Sequence, residues 1–142
     1  MATGQYIKQN LLGSDIGTTE VRATLVPTSS GYVATTELDC RGFRQIDFFI
    51  RVDTVASITK LTVNPEAGHL IGSATEYASY LTETVSAGVA TTNIYQIELN
   101  DPAPATNGLY KVSLPVEGRY VRLGLKSDSA TGLVSVYATR RV

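Results

Sequence analysis

The chain has 142 residues, of which 12 are lysine or arginine and 13 are aspartate or glutamate, for a formal net charge of −1. This length suits a single domain that folds without a disulfide or a metal, and the balanced charge argues against nucleic-acid or anionic-membrane partners. No apolar run approaches the ~20 residues that span a bilayer, and a composition rich in threonine, valine and glycine favours strands over helices.

The first 19 residues are rich in glycine, serine, threonine and asparagine and form a predicted N-terminal extended arm, residues 1–19. Its apolar residues are candidate anchors on a neighbouring molecule: Tyr6, Ile7, Leu11 and Leu12. A terminus that stays mobile without a partner is the alternative interpretation. The arm lacks the apolar segment of a secretory signal, so we expect synthesis in the cytoplasm.

Apolar and polar residues alternate after the arm, with the two-residue period of half-buried strands. The strongest run, FRQIDFFIRV at residues 43–52, predicts the central strand of the core, and Phe49 interrupts its polar face. Weaker runs predict strands at residues 20–26, 32–40, 57–63, 93–99, 109–114, 119–126 and 133–140. About eight strands with frequent turns predict an all-β fold, an antiparallel β-sandwich or jelly-roll-like domain spanning residues 20–142.

Several local features shape this prediction. Residues 64–68 contain Pro65 and Gly68, which predict the end of the preceding strand because both residues disrupt a ladder. Residues 127–132 predict a hairpin connection between the last two strands. Residues 76–84 place Tyr77 and Tyr80 at helical spacing, but we favour strand or irregular structure there. These two tyrosines and Phe49 are candidate exposed aromatic contacts.

Catalytic constellations are missing from the sequence. The chain has a single histidine, His69, in a loop-like setting, and a single cysteine, Cys40, which we interpret as a small buried residue. There is no GxSxG motif, no phosphate-binding loop, and too few histidine or cysteine ligands for zinc. The acidic residues near the central strand fit a solvated strand face. We therefore expect no enzymatic activity and no cofactor or metal.

Arginine residues cluster around the central strand and near the end of the chain. Because arginine is favoured in protein–protein contacts, we interpret part of this set, with Phe49, as a candidate interface. The candidate interface residues are Phe49, Arg51, Arg122, Arg140 and Arg141. A solvated surface is the alternative interpretation.

The segment LDCRGFRQIDFFIRV (residues 38–52), together with the ending GRYVRLGLKSDSATGLVSVYATRRV (residues 118–142), resembles virion structural proteins of tailed bacteriophages. Such proteins often end in a strand similar to "VxAYALRR", here VSVYATRR at residues 134–141. The resemblance covers about two-thirds of the chain, residues 21–52 and 94 onward, and carries no catalytic residue.

The resemblance implies a β-sandwich cement protein that decorates the capsid surface of the virion. Its partners would be the major capsid protein and further copies of itself in a homo-oligomer, with a homotrimer favoured and no nucleic acid or membrane involved. The alternative is a carbohydrate- or receptor-binding module of a phage tail or fibre, because galactose-binding-like sandwiches also contain stretches similar to RYVRL, here residues 119–123.

Overall fold

The computed structural model describes residues 20–25, 30–52, 58–100, 108–128 and 134–142. The predicted arm, residues 1–19, lies outside these ranges, as do its candidate anchors Tyr6, Ile7, Leu11 and Leu12. The strands are β1 (Glu20–Leu25), β2 (Val33–Ala34), β3 (Leu38–Asp39), β4 (Gln45–Val52), β5 (Lys60–Ile71), β6 (Ala74–Ser79), β7 (Leu81–Ser86), β8 (Val89–Ile94), β9 (Ile97–Asn100), β10 (Gly108–Pro115), β11 (Tyr120–Ser127) and β12 (Val134–Arg141).

The strands form two main antiparallel sheets and one separate ribbon. Sheet A has the order β1-β12-β4-β10, and sheet B has the order β2-β11-β5-β6, with β3 also on β11 and β9 also on β5. Among the described residues, strands β7 and β8 pair only with each other. Every strand pair is antiparallel, and no helix occurs in the described ranges. The predicted all-β antiparallel architecture is confirmed.

The inward faces of the two sheets share one hydrophobic core, as in a β-sandwich. The predicted central strand is confirmed, because β4 lies inside sheet A and its alternate residues are fully buried. The predicted inward residues of β11 and β12 are buried too. The core includes Ile46, Phe48, Ile50 and Val52 from β4, Val121, Leu123 and Leu125 from β11, and Val134, Val136 and Ala138 from β12.

The predicted end of the strand at residues 64–68 is wrong, because β5 continues through Pro65 and Gly68 to Ile71. The carbonyl of Pro65 accepts a hydrogen bond from the amide of Tyr80 at the edge of β5 opposite β11. In a strand the amide and carbonyl of one residue point to the same neighbour, so the amide hydrogen that proline lacks would also face this edge. The ladder to β11 therefore loses no bond at Pro65.

The predicted hairpin between the last two strands is also wrong. Strand β11 lies in sheet B between β2 and β5, whereas β12 lies in sheet A between β1 and β4. Each strand has one apolar face, which is what the alternation showed. Because a strand in either sheet buries one face in the same core, the pattern did not reveal that the chain crosses between sheets.

Two predicted strands are interrupted. Residues 32–40 form only β2 and β3, which both pair with β11 on either side of Thr35. The Thr35 amide donates to the Leu123 carbonyl, and the Thr35 Oγ1 accepts from the Leu123 amide. Residues 93–99 divide between β8 and β9, and the break at Tyr95 and Gln96 is where the ribbon joins the body.

Cys40 is buried in the core, as predicted. Burial raises the pKa of its thiol to about 11, against a smaller lowering influence of Arg140. The thiol therefore stays protonated at neutral pH, and its role is that of a small apolar core residue.

Candidate interaction surfaces

The β7–β8 ribbon projects from the edge of sheet B. Strand β6 pairs with residues 66–71 of β5, and β9 pairs with residues 60–63 of the same strand. The ribbon leaves sheet B between these two segments. At its tip, Ala87 and Gly88 have φ angles of 51° and 78°, as a type I′ turn requires. Every residue of β7 and β8 is exposed, so the described part of the body covers neither face.

One face of the ribbon is apolar. Cross-strand pairs Leu81–Ile94 and Val85–Ala90 lie on this face, with the pair Glu83–Thr92 between them. Leu81, Val85 and Ile94 are 61%, 67% and 55% exposed. The opposite face carries Thr82, Thr84, Ser86, Val89, Thr91 and Asn93. Because an isolated two-stranded ribbon is marginally stable in water, burial of this apolar face would stabilise the ribbon.

Two tyrosines hold the root of the ribbon in place. Tyr80 is 5% exposed, its amide donates to the Pro65 carbonyl, and its hydroxyl donates to the Pro115 carbonyl at 2.6 Å. The Tyr95 amide donates to the Tyr80 carbonyl at 2.8 Å. Burial raises the pKa of Tyr80 to about 12, so its hydroxyl remains a donor. Tyr80 is thus not the exposed aromatic contact that we predicted, because it anchors the ribbon in the core.

The outer face of sheet A carries a second apolar surface, which we call the sheet A patch: Phe49, Arg51, Leu109 and Tyr137. These four side chains line a shallow cleft of about 290 Å³. Phe49 pairs across the strands with Tyr137, and Arg51 pairs with Leu109. The sequence predicted Phe49 and Arg51 as interface residues. It missed Leu109 and Tyr137, for which the only signal was a large residue on the outward side of an alternating strand.

Arg122 lies on the outer face of sheet B, away from the sheet A patch. Its Nε is 2.8 Å from Glu66 Oε1, and its guanidinium carbon is 3.5 Å from the centroid of the Tyr77 ring. The Tyr77 ring covers Gly68, where an added Cβ would meet the ring at 2.7 Å. Burial, followed by a hydrogen bond with Glu37, raises the pKa of Tyr77 to about 12. Arg122 and Tyr77 therefore support each other within one cross-strand cluster.

Arg140 and Arg141 lie at the end of β12. The Arg140 Nη1 donates to the Asp39 carbonyl at 2.9 Å, and its guanidinium carbon is 4.9 Å from the Phe43 ring centroid. Arg141 Nε is 3.5 Å from Asp47 Oδ2. The five candidate interface residues thus occupy separate places. The structure brings together only Phe49 and Arg51 in the sheet A patch.

Asp47 is a buried carboxylate on β4, and we expect it to make stability depend on pH. Burial raises its pKa, but hydrogen bonds from Gln45 and Ser113 and the charges of Lys111 and Arg141 outweigh burial, so the pKa lies below its usual value. A lowered pKa stabilises the folded state above the unfolded pKa of about 4, and this contribution is lost as the pH falls through the folded value. Asp47→Asn should lower the free energy of unfolding at pH 7 by about 1–3 kcal/mol.

The measurement is urea unfolding between pH 7 and pH 2.5. The difference between the wild type and Asp47→Asn should shrink below pH 4, because protonation removes the same charge. Thr84→Asn in the exposed ribbon is the control, because neither side chain is charged, and its difference from the wild type should not change with pH. A difference for Asp47→Asn that does not change with pH would contradict the role assigned to this carboxylate.

A polar cleft of about 450 Å³ lies on sheet B, lined by residues of β5, β9 and β11. The Gln96 Nε2 donates to the Tyr32 hydroxyl at 2.6 Å, and Lys126 Nζ lies 5.7 Å from the Tyr32 ring centroid. Lys60 Nζ is 3.4 Å from Glu98 Oε2 in the same cleft. An exposed aromatic ring among hydrogen-bonding groups suits a polar, ring-shaped ligand. Nothing in the sequence pattern had indicated this cleft, because its residues come from distant segments.

The fold defines the class of this protein as all-β and sandwich-like. No family model matches the chain, and no curated protein or solved structure matches it significantly. Within the described ranges, no three histidine, cysteine, aspartate or glutamate side chains form a group that could hold a metal ion. No helix in those ranges is long and apolar enough to cross a membrane.

Proposed function

We propose that this protein is a non-enzymatic virion structural protein that binds and stabilises the assembled head of a tailed bacteriophage. The observation that carries the proposal is the β7–β8 ribbon, whose apolar face is exposed along its whole length. A ribbon anchored by two tyrosines in a well-packed body suits a subunit whose task is to join proteins together. In this role the protein works as a homo-oligomer, with a trimer favoured, on the capsid surface.

The strand order adds support. Strands β2 and β3 both pair with β11, and β6 and β9 both pair with β5. When each of these couples is counted as one strand, sheet A remains β1-β12-β4-β10 and sheet B becomes (β2, β3)-β11-β5-(β6, β9). We infer a jelly-roll-like connectivity from this, because consecutive strands of these eight lie in opposite sheets, except β5 and (β6, β9), in the manner of nested Greek keys. Jelly rolls occur in viral capsid proteins and in lectins, so this support is by analogy of fold.

Stabilisation of the head would follow from selective binding. A protein that binds the assembled shell and not the free capsid subunit shifts the equilibrium toward the shell by mass action. A contact of about 1,000–2,000 Å² in total is typical of such stable complexes. The major capsid protein is the proposed partner, and the predicted arm, residues 1–19, supplies the apolar groups for this contact.

The test is cosedimentation with capsids. Tagged protein is mixed with undecorated heads assembled from the major capsid protein encoded nearest to this gene, and the bound fraction is measured after centrifugation. We expect saturable binding to heads and none to free capsid subunits. Deletion of residues 1–19 should abolish attachment, while circular dichroism shows an unchanged β fold.

The controls for this test address both the arm and the shell. Replacing residues 1–19 by a glycine–serine segment of equal length separates loss of the anchors from loss of length, and it should also fail to bind. Equal binding by the full-length and truncated proteins would overturn the role of the arm. No binding to heads by the full-length protein would overturn the proposed function.

A second candidate function is carbohydrate or receptor binding by a tail or fibre module, and the polar cleft around Tyr32 favours it. The ring of Tyr32 and the amide of Gln96 provide one stacking surface and one hydrogen-bonding group. A glycan array probed with the intact protein tests this candidate directly. Binding that Tyr32→Ala removes and Tyr137→Ala preserves would support it over capsid decoration.

A further inference from the structure

We propose that the β7–β8 ribbon of one copy binds the sheet A patch of a second copy. This inference rests on the proposed role as a multi-copy assembly subunit and names the contact that joins the copies. The ribbon presents Leu81, Ile94 and Val85, and the patch presents Phe49, Leu109 and Tyr137, so two exposed apolar surfaces cover each other.

Charge selects this partner. Glu83 is the single charged residue between Leu81 and Ile94, and it lies in the middle of the apolar face. The sheet A patch is bordered by exposed basic residues, Arg51 within it and Lys111 directly across from Phe49. Docking the ribbon on the patch places the carboxylate of Glu83 within reach of these cations, and complementary charges fix the register of an apolar contact.

The same charge disfavours pairing of two ribbons with each other. Because Glu83 occupies the middle row of the apolar face, two ribbons packed through that face about a two-fold axis would bring their Glu83 side chains together. Like charges in such a contact repel each other. Because the apolar pairs lie on both sides of Glu83, a two-fold contact that buries both pairs keeps the two carboxylates at its centre. The basic border of the sheet A patch avoids this repulsion.

The contact joins two different surfaces, because the ribbon leaves sheet B whereas the patch lies on the outer face of sheet A. A contact of this heterologous kind closes into a ring when the rotation between neighbours permits, and each copy then both donates and receives one ribbon. The ribbon has six residue pairs and is about 20 Å long, which is sufficient to cross the neighbouring four-stranded sheet. A closed ring of few copies agrees with the proposed trimer.

A charge exchange between the two surfaces tests the inference. The mass of the full-length protein in solution is measured by sedimentation at several concentrations for the wild type, Glu83→Lys, Arg51→Glu and the double variant. We expect the wild type to form an oligomer and each single variant to associate about tenfold or more weakly, because each places like charges in the contact. The double variant should recover association to within about threefold of the wild type.

Two controls keep this result specific. Thr84→Lys adds a positive charge to the opposite face of the ribbon and should leave association unchanged. Thermal melts of all variants should agree at protein concentrations where copies do not associate, since Glu83, Arg51 and Thr84 are exposed. A wild type that remains monomeric at every concentration would overturn the inference. So would single variants that associate as the wild type does, or a double variant that stays as weak as the single ones.

The two proposals fail in different ways. Association that depends on Glu83 and Arg51 without any binding to heads would overturn capsid decoration and leave the ribbon contact supported. Binding to heads by a protein that remains monomeric would do the reverse. The ribbon contact is therefore tested in solution without any capsid present.

Discussion

Replacing Phe48 by alanine is expected to lower the free energy of unfolding by about 3–5 kcal/mol, the largest effect of any single substitution considered for this chain. Phe48 is fully buried on β4, inside sheet A, and it faces the core that both sheets share. Alanine removes the ring and leaves a cavity that the surrounding strands fill only in part. Urea unfolding followed by circular dichroism measures the change.

The adjacent residue is a matched control. Phe49 has the same side chain on the same strand, but it is half-buried on the outer face of sheet A. Phe49→Ala should therefore lower the free energy of unfolding by only about 1–2 kcal/mol, when both variants are measured at protein concentrations where copies do not associate. Equal losses for the two variants would mean that the inward and outward faces of β4 are assigned incorrectly.

Gly118→Ala is expected to lower the free energy of unfolding by about 1–3 kcal/mol. An added Cβ at Gly118 would lie 3.0 Å from the carbonyl oxygen of Gly68 and 3.2 Å from its amide nitrogen. These are backbone atoms of β5 within the ladder to β11, so they cannot rotate away as a side chain would. The strain must be relieved by moving one strand relative to the other.

Gly31→Ala is the control for the general effect of replacing glycine. Apart from Gly31 and its two chain neighbours, no atom of the described residues lies within 4 Å of an added Cβ at Gly31, and this residue does not have a positive φ. The substitution should change stability by no more than about 0.5 kcal/mol, or raise it slightly by restricting the unfolded chain. Melting temperatures of the two variants measure the contrast. A Gly118→Ala protein as stable as Gly31→Ala would show that the approach of the two backbones is looser than the structure has it.

The fold class was predictable because alternation is a local property. A strand that packs one face on the core has the same two-residue period in either sheet, so the inward residues of β4, β11 and β12 were identified correctly. Sheet membership depends on contacts between residues far apart in the chain. The hairpin predicted for the last two strands was wrong for this reason.

Proline was misinterpreted because its effect on a strand depends on direction. The missing amide hydrogen of Pro65 matters only if a neighbouring strand needs it, and in this fold it faces the edge where the ribbon departs. The sequence shows that a hydrogen-bond donor is absent but not which neighbour would have used it. The prediction therefore ended this strand at residue 63, whereas β5 continues to Ile71.

The candidate site was predictable only in part. Phe49 and Arg51 drew attention because an aromatic ring and a cation interrupt or border an alternating strand. Their neighbours in the sheet A patch, Leu109 and Tyr137, come from β10 and β12 and meet them only through the register of the sheet. The ribbon was not predicted as a surface, because the exposure of Leu81, Val85 and Ile94 depends on packing that a local pattern does not record.

By itself, the sequence determined which residues alternate, and thereby that the chain builds antiparallel sheets around one apolar core. Burial of one strand face requires only that neighbours in the chain point in opposite directions, which a local pattern encodes. Tertiary structure alone decided which strands share a sheet, that Tyr80 is an anchor, and that the described residues leave the ribbon after it uncovered. Those outcomes depend on which distant segments compete for the same hydrogen bonds and the same core volume, and no local pattern records that competition.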